Sequence, residues 1–301
     1  MKICSRFRAP LALTGVASLV AGILPTVAFA APPAFQTAVL ANNPYAYYRV
    51  GESSGTTAAD SSGNNRTGSY VGSPTLGVMG AGGGDTAVGL NGSSQYVTTD
   101  QASGFGSLMG NASWEFVFST TNTSAQMAMG GSANTGSVTN WEATLNRNAA
   151  GSTSSTGIRM FLRDDNNASI AAAFTAAGAF DGGYHDVLFT YDKTGATADT
   201  RLVAYLDGVQ QTLTFNATAT PTAFSAAAFN ESFGARQNRG TADLFLSGNL
   251  DEAAIYSSTL SASAAAAHAA ALIPAAIPEP ASLSLLGLGA MALLARRRRS
   301  A

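Results

Sequence analysis

The sequence predicts an all-β protein: one antiparallel β-sandwich with a single short helix near its C-terminal end. Three observations carry this. Charged residues are 11 % of the 301, against roughly 25 % in an ordinary soluble domain, while hydrophobic residues reach 46 %, so there is a core to bury. Glycine is 32 of 301, above the usual ~7 %. From Phe35 to about Ile273 the chain reads as short strands separated by turns, at a spacing that suits a sandwich rather than alternating strands and helices.

Taken in order, Ala87 to Leu90 precede Asn91-Gly92, and Tyr96-Val97 follow, which reads as a turn between two strands. Trp114 to Ser119 (WEFVFS) is a strand rich in aromatic and β-branched residues. Residues 120–180 are rich in Gly, Ser, Thr and Asn and give no strand boundaries. Val187, Phe189 and Tyr191 alternate with Leu188 and Thr190. Leu202, Ala204 and Leu206 face one way, Val203 and Tyr205 the other. Asp207-Gly208 then separates this run from Val209 to Phe215, a hairpin signal because both turn residues need positive φ. Ser261 is placed to cap a helix over Ala262 to Leu272, which Pro274 stops.

The two ends read as addresses. Residues 1–30 have the form of a secretory signal peptide: Lys2, Arg6 and Arg8, an apolar stretch from Leu11 to Ile23, then Ala28 and Ala30 before a mature start at Ala31. An N-terminal anchor helix is the alternative, but the apolar run is short of the ~20 residues a span needs. Cys4, the only cysteine, leaves with this segment, and a mature chain without it has neither disulfide nor thiolate site. At the other end a Pro-rich connector (274–280) leads to an uncharged stretch, 281–295, and to Arg296, Arg297, Arg298 and Arg299. Fifteen residues at ~1.5 Å each make a helix of roughly 22 Å, short of the ~30 Å hydrocarbon core. Such a tail is a transient inner-membrane anchor, with the domain on the outer side. The domain itself is then 31–273.

Seven of the 16 basic residues sit in these ends, which leaves nine basic residues to set against the 18 acidic ones. That balance repels phosphate polymers and excludes a nucleic-acid binder, which needs a basic face.

Pro278-Glu279-Pro280, the Leu/Ala/Gly-rich segment and the terminal arginines together resemble the PEP-CTERM sorting signal of Gram-negative bacteria. The resemblance implies recognition and cleavage by the membrane transpeptidase exosortase, after signal peptidase has acted, and delivery to the cell surface or exopolysaccharide matrix. Five further segments, in order, resemble the LamG-like, concanavalin A-like jelly roll: YAYYRVGESSGTTAADSSGNNRTGSYVG, AVGLNGSSQYV (a strand pair in that family), YHDVLFTYD, RLVAYLDGVQ and GNLDEAAIYSSTLSASAAAAH. Two departures stand out: Tyr184 where Trp is usual, and Ala264 where Glu would complete a capping box.

In such folds the resemblance implies that an early loop and the last strand meet at a structural calcium. The positions here are Asp60, Asn64 and Asp251, with Glu52 beside them. The same Asp60–Asn64 run also suits an Asx-turn without metal, and both readings stand. For sugar binding, Trp141, Tyr184 and Tyr205 are the candidate aromatics if they lie on an exposed face; otherwise they fill the core. Catalysis lacks the laminarinase-like and zinc-hydrolase signatures: no Glu-x-Asp-x-x-Glu string and no His-Glu-x-x-His occurs. His185 falls in a strand and His268 in the Ala-rich helix.

The expectation is an exported, non-enzymatic surface or matrix protein that binds extracellular polysaccharide or a surface protein. A purely structural matrix protein and a laminarinase-like glycoside hydrolase are the alternatives.

Overall fold

A computed structural model describes residues 34–81, 85–101, 109–133, 138–225, 229–238 and 241–272. They form two large antiparallel sheets packed face to face. The eight-stranded sheet runs β14 (Val209–Gln211), β13 (Leu202–Leu206), β12 (His185–Asp192), β7 (Asn111–Ser119), β19 (Ser247–Tyr256), β5 (Thr86–Asn91), β4 (Thr75–Met79), with β1 (Ala46–Tyr48) also pairing with β19. The nine-stranded sheet runs β15 (Thr214–Thr218), β11 (Ser169–Thr175), β10 (Thr153–Arg163), β9 (Asn140–Arg147), β8 (Gln126–Ala133), β16 (Phe229–Phe233), β6 (Tyr96–Gln101), β3 (Gly68–Val71), β2 (Thr57–Ala58). A small hairpin, β17 (Arg236–Asn238) and β18 (Thr241–Asp243), stands apart. The helices are α1 (Ala34–Ala41), the single turn α2 (Ala198–Arg201) and α3 (Ala262–Leu272).

The period-two reading of the strands is what the core uses. Trp114, Phe116 and Phe118 of β7, Val187, Phe189 and Tyr191 of β12, and Leu202 and Ala204 of β13 meet Trp141, Ala143 and Leu145 of β9 and Ile158, Met160 and Leu162 of β10 between the sheets. The alternate residues of the eight-stranded sheet are buried as well. Tyr47, Val117, Leu188, Tyr205, Ala254 and Tyr256 form a second cluster with Phe35 and Val39 of α1 and Ala265 of α3. The two helices therefore roof the outer face of this sheet, which explains why β7 is buried along nearly its whole length.

The Asp207-Gly208 hairpin forms as the sequence predicts, with Leu206 opposite Val209 and φ of 49° and 76° at the turn. Gly208 also lies against α3: a Cβ there would come within 3.0 Å of Ala266 and Ala269. The C-terminal helix spans the expected residues, and Ser261 Oγ accepts the Ala264 amide at 3.2 Å.

Three expectations are corrected. Residues 34–41 are helical rather than extended, because Phe35 and Val39, four apart, bury together on one helix face. The run Val209–Phe215 is two strands, β14 and β15, which lie in different sheets. Asn91-Gly92 is a turn (Gly92 φ 73°, with Asn91 Oδ1 accepting the Ser93 and Ser94 amides), but β5 and β6 do not pair; the chain crosses there from one sheet to the other.

Candidate functional site

The acidic residues predicted as calcium ligands do not assemble as one set. Asp60 is absorbed by its own loop. Its Oδ1 accepts the amides of Tyr47 (3.0 Å) and Ser62 (2.9 Å), and its Oδ2 accepts the Ser62 hydroxyl (2.8 Å) and the Arg66 amide (2.8 Å). Burial pushes this carboxyl up, but those bonds outweigh it and hold the group below its ordinary value. Asn64 donates from Nδ2 to the carbonyls of Pro44 and Tyr45, both at 3.1 Å. Glu52 accepts the Ala59 amide (2.8 Å) and the Tyr70 hydroxyl (2.5 Å). This loop is held by turn chemistry, and Asp60, Asn64 and Glu52 lie apart from the carboxyl cluster that Asp251 joins.

The fourth residue, Asp251, meets different partners. Asp85, Asp251 and Glu252 bring carboxylate oxygens within 4.8 Å of one another. A β-bulge does this. Leu250 pairs with Phe118 and Glu252 with Val117, leaving Asp251 as the extra residue of β19. A bulge re-aims side chains that a regular strand would send to opposite faces. Asp251 Oδ2 accepts the Ala81 amide at 2.7 Å while its Oδ1 is buried without a hydrogen-bond partner, and Glu252 lies beside the Tyr47 hydroxyl. Arg49 reaches Asp85 at 2.5 Å and Glu252 at 3.7 Å, so one guanidinium faces three carboxylates. Burial pushes Asp251 up to about 7, with Asp85 adding to the rise and the Ala81 amide and Arg49 opposing it. Burial and the charge of Asp251 push Glu252 well above its ordinary range. Gly80 completes the cradle: a Cβ there would lie 2.8 Å from Asp251 Oδ1. Three carboxyl groups beside one guanidinium offer hard oxygen donors that suit a divalent cation such as calcium, which would displace the protons that burial favours.

The three aromatic candidates are also separated. Trp141 is fully buried and packs against Trp114, ring centroids 5.6 Å apart, in the inter-sheet core. Tyr205 is buried in the cluster beneath the helices. These two are corrected: both β-faces that carry them are covered, one by the opposite sheet and one by α1 and α3. Tyr184 is half-buried, its hydroxyl donating to the Met79 carbonyl at 2.6 Å, and burial pushes its phenol up to about 12.

Sequence reasoning assigned no role to two buried groups that the fold uses. His268 of α3 sets Nδ1 2.8 Å from Glu115 Oε1 and Nε2 3.1 Å from the Ala38 carbonyl of α1, and Glu115 also accepts the Tyr256 hydroxyl at 2.5 Å. Glu231 of β16 is buried beside Thr99, whose hydroxyl lies 3.2 Å away. His185 lies 2.8 Å from Asp207 and 3.3 Å from Asp181 at the surface.

The processing residues Ala28, Ala30, Ala31, Pro278, Glu279, Pro280 and Arg296 to Arg299 lie outside the described residues. Among those described, no helix is long and apolar enough to cross a membrane.

Residues 276–299 match the family described as the PEP-CTERM protein-sorting motif. The chain thus carries this motif at its C-terminus, which implies exosortase processing, export and sorting across the membrane. Among curated proteins none matches the chain. Solved structures share the β-sandwich. The receptor-binding domain of botulinum neurotoxin C/D mosaic serotype is 12 % identical with a TM-score of 0.53, covering 76 % of this chain and 51 % of that one. The serotype D ligand-binding domain in complex with N-acetylneuraminic acid is 12 % identical with a TM-score of 0.55, covering 78 % and 52 %. Domain 4 of AbnA, a GH43 extracellular arabinanase from Geobacillus stearothermophilus, in complex with arabinotriose, is 15 % identical with a TM-score of 0.50, covering 75 % and 98 %. The chain spans about half the length of the toxin domains it matches. At these identities the likeness is one of fold.

Proposed function

We propose that this chain, exported under a PEP-CTERM signal, is a non-enzymatic carbohydrate-binding component of the cell surface or exopolysaccharide matrix. The observation that carries the reading is the pairing of that sorting motif with a β-sandwich whose structural neighbours include domains solved with arabinotriose and with N-acetylneuraminic acid. Fold alone does not confer a function; the sorting motif supplies the second, independent ground. The domain carries one structural calcium, held by Asp85, Asp251 and Glu252. It neutralises the buried carboxylates that Arg49 leaves unbalanced.

The test is a glycan array probed with the exported protein, read alongside release of reducing ends from the bound glycans. Saturable binding without new reducing ends is expected. Release of sugar would establish a hydrolase, and no binding to any glycan would leave a purely structural matrix role.

A further inference from the structure

On the outer face of the nine-stranded sheet the charge of the molecule reverses. Ile158, Met160 and Leu162 of β10 point into the core, so Arg159, Phe161 and Arg163 take the other face, Phe161 and Arg163 half-buried and Arg159 with only 7 % of its surface exposed. Opposite them on β9 stand Thr144, Glu142 and Asn140. On β11 stand the small residues Ala173, Ala171 and Ser169. Arg147, at the end of β9, joins this row. A Cβ on Gly151 would lie 3.7 Å from Arg147 Nη1 and 3.8 Å from Arg159 Nη2, so the two guanidiniums flank one glycine in the turn between β9 and β10. That glycine has a φ of 85°, a left-handed conformation that a side chain would strain.

The arginines are held in place rather than trailing in solvent. Arg159 Nε donates to the Ala149 carbonyl (3.2 Å) and Arg163 Nε to the Val138 carbonyl (3.0 Å). Phe161 sits between them, its ring 4.9 Å from the Arg159 guanidinium and 6.0 Å from that of Arg163. Arg147 Nε is buried without a hydrogen-bond partner. Negative charge nearby is already committed. Glu142 is shared, 3.8 Å from Arg159 and 3.8 Å from Arg236, and Asp243 is taken by Arg236 at 2.5 Å. Asp165 accepts the amides of Val138 and Thr139. Burial and the charge of Arg147 pull Arg159 below its ordinary value, with Glu142 opposing. Two like charges crowded this way favour an anion between them.

We infer that this strip binds a carboxylate-bearing polysaccharide, with Arg147 and Arg159 gripping one carboxylate over Gly151 and Arg163 a second further along the same chain. The inference rests on the carbohydrate reading above and gives it a ligand class and a place. Guanidinium forks match carboxylates bidentately. Arg159 and Arg163 are four residues apart on one strand, about 13 Å, so an extended polymer reaches both and a single sugar acid does not. A strip of positive charge on a chain that is otherwise acidic draws in a polyanion locally while the molecule as a whole repels nucleic acid.

The experiment immobilises the full chain and titrates polygalacturonate, galacturonic acid, dextran and double-stranded DNA at low and high salt. Polygalacturonate is expected to bind in a salt-sensitive way, at least about tenfold more tightly per carboxylate than the monomer. Arg147→Gln with Arg159→Gln is expected to weaken that binding at least about tenfold without changing dextran binding. Arg163→Glu, at a half-exposed position, is expected to weaken it alone, and it decides the matter if the double variant does not fold. Unchanged binding in the variants overturns the inference, as does DNA retained as strongly as polygalacturonate. Binding of dextran or another neutral glycan without polygalacturonate ends this inference and leaves the carbohydrate reading standing; binding of no glycan ends both.

Discussion

His268 ties both helices to the sheet through one buried carboxylate. Its Nδ1 faces Glu115 on β7, and its Nε2 lies between the Ala38 carbonyl on α1 and the side-chain amide of Asn42 just beyond it. Burial lowers its pKa, but the bond to and charge of Glu115 and the Ala38 carbonyl outweigh that and leave it raised. A raised folded value means the contribution is complete below the unfolded histidine value near 6.5 and fades as pH climbs through the folded one. His268→Leu strands Glu115 in a dry site, so it should cost about 3–5 kcal/mol, read by urea unfolding at pH 6; a loss under about 1 kcal/mol would show that the pair is not a clasp. Glu231 acts with the same sign at lower pH. Burial raises it to about 7, with the Thr99 hydroxyl and Arg66 opposing. The folded state therefore holds this proton after the unfolded state has released it, and stability falls between roughly pH 4.3 and 7 by up to about 1.4 kcal/mol per pH unit. Glu231→Gln should flatten that part of the stability–pH curve, and parallel curves for the two proteins would refute the assignment.

Among the elements, β19 does the most for the candidate cation site. Its bulge turns two sequence neighbours into one cluster and brings them to Asp85 at the start of β5. If calcium balances this cluster, a chelator should lower the melting midpoint by roughly 5–10 °C relative to calcium at about 100 times its Kd. Asp251→Asn should melt at one temperature with or without calcium. A midpoint indifferent to chelator in the unaltered protein would leave Arg49 as the cluster's sole counter-charge. The helices depend on tertiary support in a similar way: α1 is eight residues, too short to persist alone, and it exists because Phe35 and Val39 find Tyr47, Tyr256 and α3.

At the scale of the whole molecule, the sandwich and its address are separable. The described core ends at Leu272, while the sorting motif occupies 276–299. A chain truncated after residue 273 should therefore melt like the complete domain yet fail to be processed. Intact mass of the exported wild-type protein should show both the first 30 residues and the tail removed. Recovery of the full-length mass outside the cell would contradict the processing scheme.

The linear chain by itself determined whatever depends on neighbours within a few residues. The β class followed from period-two alternation at 187–191 and 202–206. The tight hairpin followed from Asp207-Gly208, where positive φ is needed. The C-terminal helix followed from the Ser261 cap, and the sorting motif from an unbroken string at the very end. Only the tertiary structure decided which strands pair and which faces are covered. Tyr205 and Trp141 look alike on paper, but one lies under helices and the other between sheets. The acidic cluster and the arginine strip escaped the sequence for one physical reason. Asp85 and Asp251 are brought together across 166 positions by sheet pairing and a bulge, and Arg147 meets Arg159 over a turn. Such contacts are set by burial and register over long loops, which no local pattern encodes.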